Sequence, residues 1–266
     1  MTTYEYSIVI PAYNEARRIT VTIEHIAAFI EAKSWSAEVL VVDDGSVDGT
    51  STVVQQLAER FPVVRLITLH RNQGKGNAIR VGIEESRGEL ILFADADDST
   101  PIEDAPKLFD ALRAGADVAM GSRWVDPAYQ LQPQPWYRLL NGRFYSLLVR
   151  TVLGLNFKDT QNGFKAYSAR AAKAIFPLQK IGGWGFDAEV VFLAQRYGFN
   201  VVEIPVNYIY YPEGSKIRPY LDGINMFLEL LKVRRNSWNG TYPKQLQIAA
   251  GTYTAPMVNE RGGCDA

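Results

Sequence analysis

Five short apolar segments recur between residues 6 and 121, and amphipathic segments separate them along the chain. They cover residues 6–11, 39–43, 64–69, 90–94 and 117–121. Their residues are β-branched and apolar throughout rather than alternating with polar ones, which is typical of strands buried on both faces. The chain is therefore predicted to form an α/β fold with a mostly parallel sheet and flanking helices.

Helices are predicted over 16–33, after Asp48, over 77–85, and from a capping box of Thr100, Pro101 and Glu103 to Leu112. The spacing further predicts helices over 136–153, 186–197 and 220 to about 235, and a strand over 201–209. We expect one domain over 1–238, with a nucleotide-binding half at 6–123 and an acceptor half at 124–238. Residues 239–266 have no clear period and are expected to be a poorly ordered tail.

Composition narrows the possible functions. The formal net charge is -1, so nothing indicates a nucleic-acid partner. One cysteine excludes an intrachain disulfide framework, and only two histidines argue against a His/Cys zinc site. No apolar run approaches the roughly 20 residues that span a bilayer, and the N-terminus lacks a signal-peptide pattern. We expect a cytoplasmic protein without a transmembrane segment, at most peripheral on the cytoplasmic face of a membrane.

Polar residues follow each of the five predicted strands. In open α/β sheets, ligands bind at the carboxyl ends of the strands. The five clusters are Pro11-Ala12-Tyr13-Asn14-Glu15, Asp43-Asp44-Gly45-Ser46, His70-Arg71-Asn72-Gln73-Gly74-Lys75-Gly76, Asp95-Ala96-Asp97-Asp98 and Gly121-Ser122-Arg123. The sequence therefore predicts that the functional site lies at this edge of the sheet.

Asp95 and Asp97 are the strongest candidates for binding a metal ion. Side chains two residues apart in extended chain point the same way, and the small Ala96 between them leaves room for a ligand. Two carboxylates suit Mg²⁺ or Mn²⁺ that also binds a diphosphate. The alternative is an exposed acidic turn before a helix; the position directly after a buried strand favours the metal site.

Two other clusters leave alternatives open. Asp43 and Asp44 could form a plain strand-to-helix turn, or accept hydrogen bonds from ribose hydroxyls or a base N–H. The glycines around Lys75 match neither the P-loop nor the dinucleotide fingerprint. Lys75 could compensate the charge of a diphosphate, and Arg71 and Arg80 could serve the same purpose.

Several motifs together resemble glycosyltransferase family 2. They are Pro11-Ala12-Tyr13-Asn14-Glu15, Val41-Val42-Asp43-Asp44-Gly45-Ser46-Val47-Asp48-Gly49-Thr50 and Asp95-Ala96-Asp97. Three later motifs resemble its dolichyl-phosphate β-glucosyltransferase and mannose synthase branches: Asp159-Thr160-Gln161-Asn162-Gly163-Phe164-Lys165, Trp184-Gly185-Phe186-Asp187-Ala188-Glu189 and Gly214-Ser215-Lys216. The resemblance covers about residues 6–235 and implies the GT-A (Rossmann-like) fold.

The resemblance also implies an activity: metal-dependent, inverting transfer of a hexose from a nucleotide sugar, UDP-glucose being favoured, to a polyprenyl or dolichyl phosphate. The nucleoside would be bound by Pro11, Tyr13, Glu15 and Asp43 or Asp44. The metal would be bound by Asp95 and Asp97, and the acceptor phosphate or donor diphosphate by Arg123 and Lys216. Asp187 and Glu189 correspond to the catalytic carboxylate of many inverting relatives. Ser99, Asp98 and Asn162 depart from the usual residues, which leaves the donor sugar and the acceptor lipid open.

A phosphate monoester is already anionic at neutral pH, so such an acceptor needs no general base. On this interpretation Asp187 and Glu189 orient sugar hydroxyls or basic groups; the alternative is that they only complement a helix dipole. The predicted helices at 136–153 and 220–235 combine apolar and basic residues, which suits an anionic membrane surface or packing on the domain. Competing hypotheses are a GDP-mannose-dependent enzyme, transfer to a saccharide hydroxyl, and a nucleotide-sugar-binding membrane scaffold without turnover.

Overall fold

The computed structural model describes residues 4–132, 135–211, 219–248 and 251–253. Its strands are β1 (Tyr4–Ala12), β2 (Ala37–Asp43), β3 (Val64–Thr68), β4 (Gly88–Ala94), β5 (Val118–Ser122), β6 (Gln130–Gln132), β7 (Phe164–Ser168), β8 (Val201–Pro205), β9 (Tyr208–Ile209), β10 (Leu246–Ile248) and β11 (Gly251–Tyr253). Its helices are α1 (Ile19–Ala32), α2 (Thr50–Arg60), α3 (Lys75–Glu85), α4 (Ala105–Arg113), α5 (Trp136–Leu153), α6 (Ala169–Ile175), α7 (Phe186–Arg196) and α8 (Pro219–Trp238).

Seven strands form the main sheet in the order β3-β2-β1-β4-β7-β5-β8. All pairings are parallel except those of β7, which runs antiparallel between β4 and β5. The predicted mostly parallel sheet is confirmed. The strand order reverses direction between β1 and β4, and ligands of open α/β sheets bind at such a switch point.

Both faces of the sheet are buried, which explains why the strands lack polar alternation. Ile8 and Ile10 of β1 point into a core that includes buried residues of α1, α2 and α4. Val9 points to the other face, where α3, α6, α7 and parts of α5 and α8 contribute. The two hydrophobic cores hold the carboxyl ends of β1, β4 and β5 in fixed positions.

The sequence prediction missed β7 because Lys165 interrupts its apolar pattern, although that side chain is completely buried. Two other predicted elements are wrong in detail. The predicted strand 201–209 is divided into β8 and β9, with the amide of Asn207 donating to Asp104 at 2.5 Å. The predicted capping box does not form; Glu103 instead contacts His25, and α4 begins at Ala105 after a short 3₁₀ turn.

The chain continues to pack against the domain beyond Trp238, where the sequence predicted a tail. Tyr242 is completely buried, and its hydroxyl donates to Glu189 at 2.6 Å. Leu246 is also buried, and β10 pairs with β11. The packing of the described residues 239–248 depends on contacts with α7 that no local period reveals.

Candidate active site

A cleft of 910 Å³ opens at the carboxyl ends of β1 and β4, and helices α5 and α8 form part of its wall. Of the predicted nucleotide-binding residues, Pro11, Tyr13, Glu15, Asp44 and Lys75 all line it. Asp95, Asp97, Arg123 and Asp187 line the same cleft. Residues from strand ends far apart in sequence therefore meet in one place, as the strand-end argument predicted.

Asp95 and Asp97 form the turn that follows β4. The amide of Asp95 donates to the carbonyl of Gly163 at 3.1 Å, and Asp97 accepts from the amide of Ser99 at 3.1 Å. A Cβ atom at position 163 would lie 2.0 Å from Oδ2 of Asp95, so only glycine leaves room for this carboxylate. The next residue, Asp98, has φ +54° and contacts His25 Nδ1 at 2.7 Å, which anchors the turn on α1.

Lys75 contacts the first of these carboxylates. Its Nζ lies 2.6 Å from Oδ1 of Asp95 and 5.3 Å from the centre of the Trp184 ring. Burial disfavours the ammonium, but the carboxylates of Asp95 and Asp187 outweigh it and raise the pKa of Lys75 above its usual value. Burial raises the pKa of Asp95, while the nearby ammonium opposes that shift. Lys75 therefore stays cationic at the base of the cleft.

Arg18 is a second cation in the cleft, and sequence reasoning did not single it out. Its Nη2 donates to Oε1 of Glu15 at 2.8 Å and its Nε donates to Oε2. Its Nη1 lies 3.9 Å from Oδ2 of Asp97. The hydrogen bond with Glu15 is the main cause that raises the pKa of Arg18. Both carboxylates of the Asp95–Asp97 turn thus face a basic side chain.

Asp43 and Asp44, which the sequence left as alternatives, have different positions. Asp44 lines the cleft, and its two oxygens accept from the amides of Gln73 and Gly74, each at 2.8 Å. Burial raises the pKa of Asp44, although these hydrogen bonds oppose the shift. Asp43 is completely buried and accepts from Ser46 and Ser51, so it stabilises the turn before α2. Of the two, only Asp44 lines the cleft, and a contact of Asp43 with the nucleoside stays a prediction.

Arg123 lines the cleft and forms a bidentate ion pair with Asp159. Nε donates to Oδ2 at 2.6 Å and Nη2 to Oδ1 at 2.8 Å. Burial alone would raise the pKa of Asp159, but the guanidinium overcomes it and lowers that pKa. Arg123 also lies 5.1 Å from the centre of the Tyr208 ring. Its position is fixed by these contacts before any ligand binds.

Asp187 lies at the first turn of α7 and reaches the cleft. Its Oδ1 accepts from Nζ of Lys165 at 2.5 Å, and that ammonium also donates to the carbonyl of Asn162 at 2.6 Å. Lys165 is completely buried, and burial lowers its pKa even though Asp187 favours the charged form. The buried Lys165 of β7 thus forms an ion pair with Asp187, which lines the cleft.

Glu189 does not reach the cleft. Successive residues of a helix are 100° apart, so Glu189 projects on nearly the opposite side of α7 from Asp187. Its oxygens accept from the amides of Lys180 and Ile181 and from the hydroxyl of Tyr242, at 2.6 to 2.9 Å. The predicted catalytic role of Glu189 stays a prediction; in this structure its buried carboxylate stabilises the loop before α7.

Lys216, predicted to contact a phosphate, lies outside the described residues together with Gly214 and Ser215. The structure adds several cleft residues that the sequence analysis gave no role: Arg18, Tyr145, Thr160, Gln161 and Trp184. Thr160 and Gln161 precede a strand, so a search of the residues after predicted strands does not include them. Since β7 is antiparallel, its beginning lies at the carboxyl ends of its parallel neighbours.

Asp95 and Asp97 supply only part of the ligands that a metal ion needs. Among the described residues, no group of three or more His, Cys, Asp or Glu side chains could hold one. Two carboxylates therefore do not form a complete protein cage. They fit Mg²⁺ or Mn²⁺ when the remaining ligands come from a substrate diphosphate and water.

The GT-A class of glycosyltransferases is defined by this strand order together with a cleft of acidic and basic groups at the switch point of the sheet. Residues 7–176 match the family model described as Glycosyl transferase family 2. The chain belongs to glycosyltransferase family 2 and is a glycosyltransferase.

Curated relatives agree with this assignment. The chain is 35% identical over 253 residues to the dolichyl-phosphate beta-glucosyltransferase of Homo sapiens, covering 90% of this chain and 78% of the relative. It is 34% identical over 256 residues to the protein of the same name in Saccharomyces cerevisiae, covering 89% and 76%.

Solved structures support the fold. Glucosyl-3-phosphoglycerate synthase from Mycobacterium tuberculosis in complex with UDP matches with a TM-score of 0.63 at 19% identity, over 95% of this chain and 87% of that one. Mannosyl-3-phosphoglycerate synthase from Rubrobacter xylanophilus matches with a TM-score of 0.64 at 18% identity, over 96% and 88%. The predicted GT-A fold is confirmed.

Proposed function

We propose that this enzyme transfers glucose, with inversion, from UDP-glucose to a polyprenyl phosphate such as dolichyl phosphate, and that it requires Mg²⁺ or Mn²⁺. The names of the relatives from Homo sapiens and Saccharomyces cerevisiae support the sugar and the acceptor. A glucosyl-3-phosphoglycerate synthase of the same fold has been solved with Mn²⁺ and UDP-glucose, which agrees with the donor and the metal. The proposed division is one domain, with the donor bound mainly by 6–123 and the acceptor mainly by 124–238.

One structural observation carries the acceptor part of the proposal. Helices α5 and α8 contact each other, and both have one face in the cleft and another in solvent. Their exposed apolar residues are spaced at i, i+4 and i+7 and are 43% to 61% exposed: Leu140, Phe144 and Leu147 on α5, and Ile224, Leu228 and Leu231 on α8. We call these six residues the apolar stripe. A lipid acceptor lying against the stripe would have its phosphate near the cleft.

The two alternatives for these helices are both supported in part. Val149 and Leu153 of α5, and Leu230 and Val233 of α8, are buried in the domain core, so each helix does pack on the domain. The stripe occupies the other side, and large exposed apolar patches mark interaction surfaces. The exposed basic residues Arg143, Arg150, Lys232 and Arg235 lie on the same two helices. An anionic membrane surface, bound peripherally, is the partner that fits both the apolar stripe and the basic side chains.

No described helix combines the length and the apolar character that crossing a bilayer requires. The proposed membrane association uses the stripe and the basic side chains. The apolar contribution can be removed without disturbing the buried faces, because Phe144 and Leu228 are 60% and 54% exposed.

We expect the double variant Phe144→Asp/Leu228→Asp to lose at least about tenfold in partition onto anionic liposomes, since each buried apolar side chain contributes about 1.5–3 kcal/mol. Co-sedimentation measures this, and binding by the parent protein should weaken at high salt. Val21→Asp is the matched control: Val21 is 65% exposed on α1, across the sheet from the stripe. Equal sedimentation of the stripe variant and the parent would contradict the proposed surface.

In the proposed transfer, an oxygen of the acceptor phosphate forms a bond to the anomeric carbon. The bond from that carbon to the diphosphate oxygen breaks, and its electron pair leaves with the diphosphate. The acceptor is already anionic, so the protein need not remove a proton. Its task is to hold two anions close together, and the fixed guanidinium of Arg123 on one side and Lys75 on the other reduce their repulsion.

Asp95 and Asp97 are the proposed metal ligands, and the ion would neutralise charge on the leaving diphosphate. Lys75 and Arg18 already lie beside these carboxylates, so they are placed to share the phosphate oxygens that a bound donor brings. Asp187 has its Oδ1 held by Lys165 and acts in this proposal as an orienting acceptor rather than as a base.

The transferase assay tests the whole proposal. The protein is incubated with Mg²⁺ or Mn²⁺, a polyprenyl phosphate and either UDP-glucose or GDP-mannose, and the lipid fraction is analysed by mass spectrometry. We expect hexosylated lipid phosphate from UDP-glucose. Product from GDP-mannose alone would overturn the donor, and transfer to a saccharide alone would overturn the acceptor.

A further inference from the structure

Four residues that line the cleft each have a buried side-chain polar atom without a hydrogen-bond partner among the described residues. These atoms are Tyr145 Oη, Thr160 Oγ1, Gln161 Nε2 and Asn162 Nδ2. The described part of the chain has seven such side-chain atoms in all, so four of the seven are gathered in this one place. Thr160 and Asn162 are only 2% and 3% exposed.

The loop that carries three of these atoms is held rigidly. Asp159, at its start, is bound by Arg123, and the amides of Lys158 and Asp159 donate to Glu203 at 2.9 and 2.8 Å. At its end, the carbonyl of Asn162 accepts from Lys165. The loop therefore cannot easily turn its side chains elsewhere to find partners.

Leaving a buried polar atom without a partner is unfavourable, and buried polar groups in native proteins are nearly always hydrogen-bonded. A rigid group of four such atoms inside a cleft is best explained by a ligand that supplies the missing partners. The hydroxyls of Tyr145 and Thr160 can donate and accept, and the amide nitrogens of Gln161 and Asn162 donate. Asn162 Oδ1 accepts a hydrogen bond from the hydroxyl of Thr100 at 3.4 Å, so Nδ2 is the atom of this amide without a partner among the described residues.

The chemistry of the four atoms indicates which part of a substrate they contact. None carries a charge, whereas the charged groups beside them are already paired as Arg123–Asp159 and Lys165–Asp187. Neutral donors and acceptors match sugar hydroxyls better than phosphate oxygens. The loop also continues into Gly163, which contacts Asp95, so it lies next to the group that would bind the diphosphate. The hexose is joined directly to that diphosphate.

We propose that Tyr145, Thr160, Gln161 and Asn162 form the subsite that binds the hydroxyl groups of the transferred hexose. The inference rests on the proposed function, because it takes the cleft to bind a nucleotide sugar. Tyr145 belongs to α5, whose outer face carries part of the apolar stripe. The same helix would then contact the hexose on one side and the membrane on the other.

Two substitutions remove a hydroxyl with little change in shape: Thr160→Val and Tyr145→Phe. Because each deletes an atom without a partner, we expect the melting temperature of the free protein to stay equal or to rise. A hydroxyl with a purely structural role would instead lower the melting temperature when removed. Asn200→Ala is the control for a side chain outside the cleft. Asn200 is exposed and directly precedes β8, so it lies at the amino end of that strand, away from the carboxyl ends where the cleft opens.

Calorimetric titration of the full chain with UDP and with UDP-glucose, in Mg²⁺ or Mn²⁺, isolates the contribution of the hexose. We expect Thr160→Val, Tyr145→Phe and Asn162→Ala each to weaken UDP-glucose binding by about tenfold, the equivalent of about 1.4 kcal/mol. The affinity for UDP should stay within about twofold of the parent. If UDP does not bind, GDP and GDP-mannose form the corresponding pair of ligands.

The outcomes separate this inference from the proposed function. Variants that keep the full difference in affinity between UDP-glucose and UDP would overturn the subsite, whatever product the enzyme makes. Variants that weaken binding of a short polyprenyl phosphate, and leave UDP-glucose unaffected, would assign the four atoms to the acceptor and also overturn it. A parent protein that binds UDP-glucose more tightly than UDP but forms no glycolipid contradicts the proposed function and leaves the subsite supported.

Discussion

Asp97→Ala is expected to lower the rate of sugar transfer by at least about a thousandfold while the protein remains folded. A metal ion at this carboxylate would stabilise the leaving diphosphate by several kcal/mol, and each 1.36 kcal/mol corresponds to tenfold in rate. The fold should tolerate the change because the Asp97 side chain is 29% exposed, accepts a 3.1 Å hydrogen bond from the amide of Ser99 and lies 3.9 Å from Nη1 of Arg18.

Two measurements test this result. Initial rates with saturating Mg²⁺ or Mn²⁺ report the loss of transfer, and urea unfolding should show a change in stability within about 0.5 kcal/mol. Asp110→Ala is the matched control, because Asp110 is 72% exposed on α4 and pairs only at the surface with Arg113. A chelator should reproduce the loss of activity in the parent protein. An active Asp97→Ala enzyme would refute the metal site.

Lys165→Met is expected to lower the free energy of unfolding by about 3–5 kcal/mol. It would leave the buried carboxylate of Asp187 without the ammonium that lies 2.5 Å away, and breaking a buried ion pair from one side is strongly destabilising. The double variant Lys165→Met/Asp187→Leu removes both charges and should be more stable than Lys165→Met. Denaturant unfolding curves measure all three proteins.

The chain contains a matched control for this comparison. Arg60 and Glu24 also form an ion pair, with Nη1 of Arg60 2.6 Å from Oε1 of Glu24, but their side chains are 63% and 40% exposed. Exposed ion pairs contribute about 0–1 kcal/mol, so Arg60→Met should have a small effect. A loss below about 1 kcal/mol in Lys165→Met would show that Asp187 finds another partner, and Lys75, which interacts electrostatically with Asp187, is the candidate.

The two variants also separate chemistry from folding. Asp97→Ala should remove activity and keep stability, whereas Lys165→Met should reduce stability first. Lys165 is a positioning residue in the proposed mechanism, because it contacts Asp187 and the carbonyl of Asn162 rather than the substrate. If Lys165→Met is assayed at a temperature where it remains folded, we expect KM for UDP-glucose to rise, since both of its partners line the cleft.

Much of the fold and part of the site could be predicted from local pattern. The continuous apolar segments required a sheet covered on both faces, and the ends of parallel strands necessarily meet at one edge. The positions after strands therefore predict Asp95, Asp97, Lys75 and Arg123 as site residues, and all four line the cleft. Asp187 came from the family resemblance, and it also lines the cleft.

Other features depended on contacts between distant segments. Lys165 made β7 unrecognisable as a buried strand, because a lysine is tolerated there only when a carboxylate from α7 pairs with it. The orientation of α7 decides that Asp187 and not Glu189 reaches the cleft. The position of the 73–74 loop likewise distinguishes Asp44, which binds that loop, from Asp43. The sequence by itself determined the sheet, its reactive edge and the family. Only the tertiary structure decided which polar groups satisfy one another and which remain available to a substrate, because burial and hydrogen bonding are properties of the assembled chain.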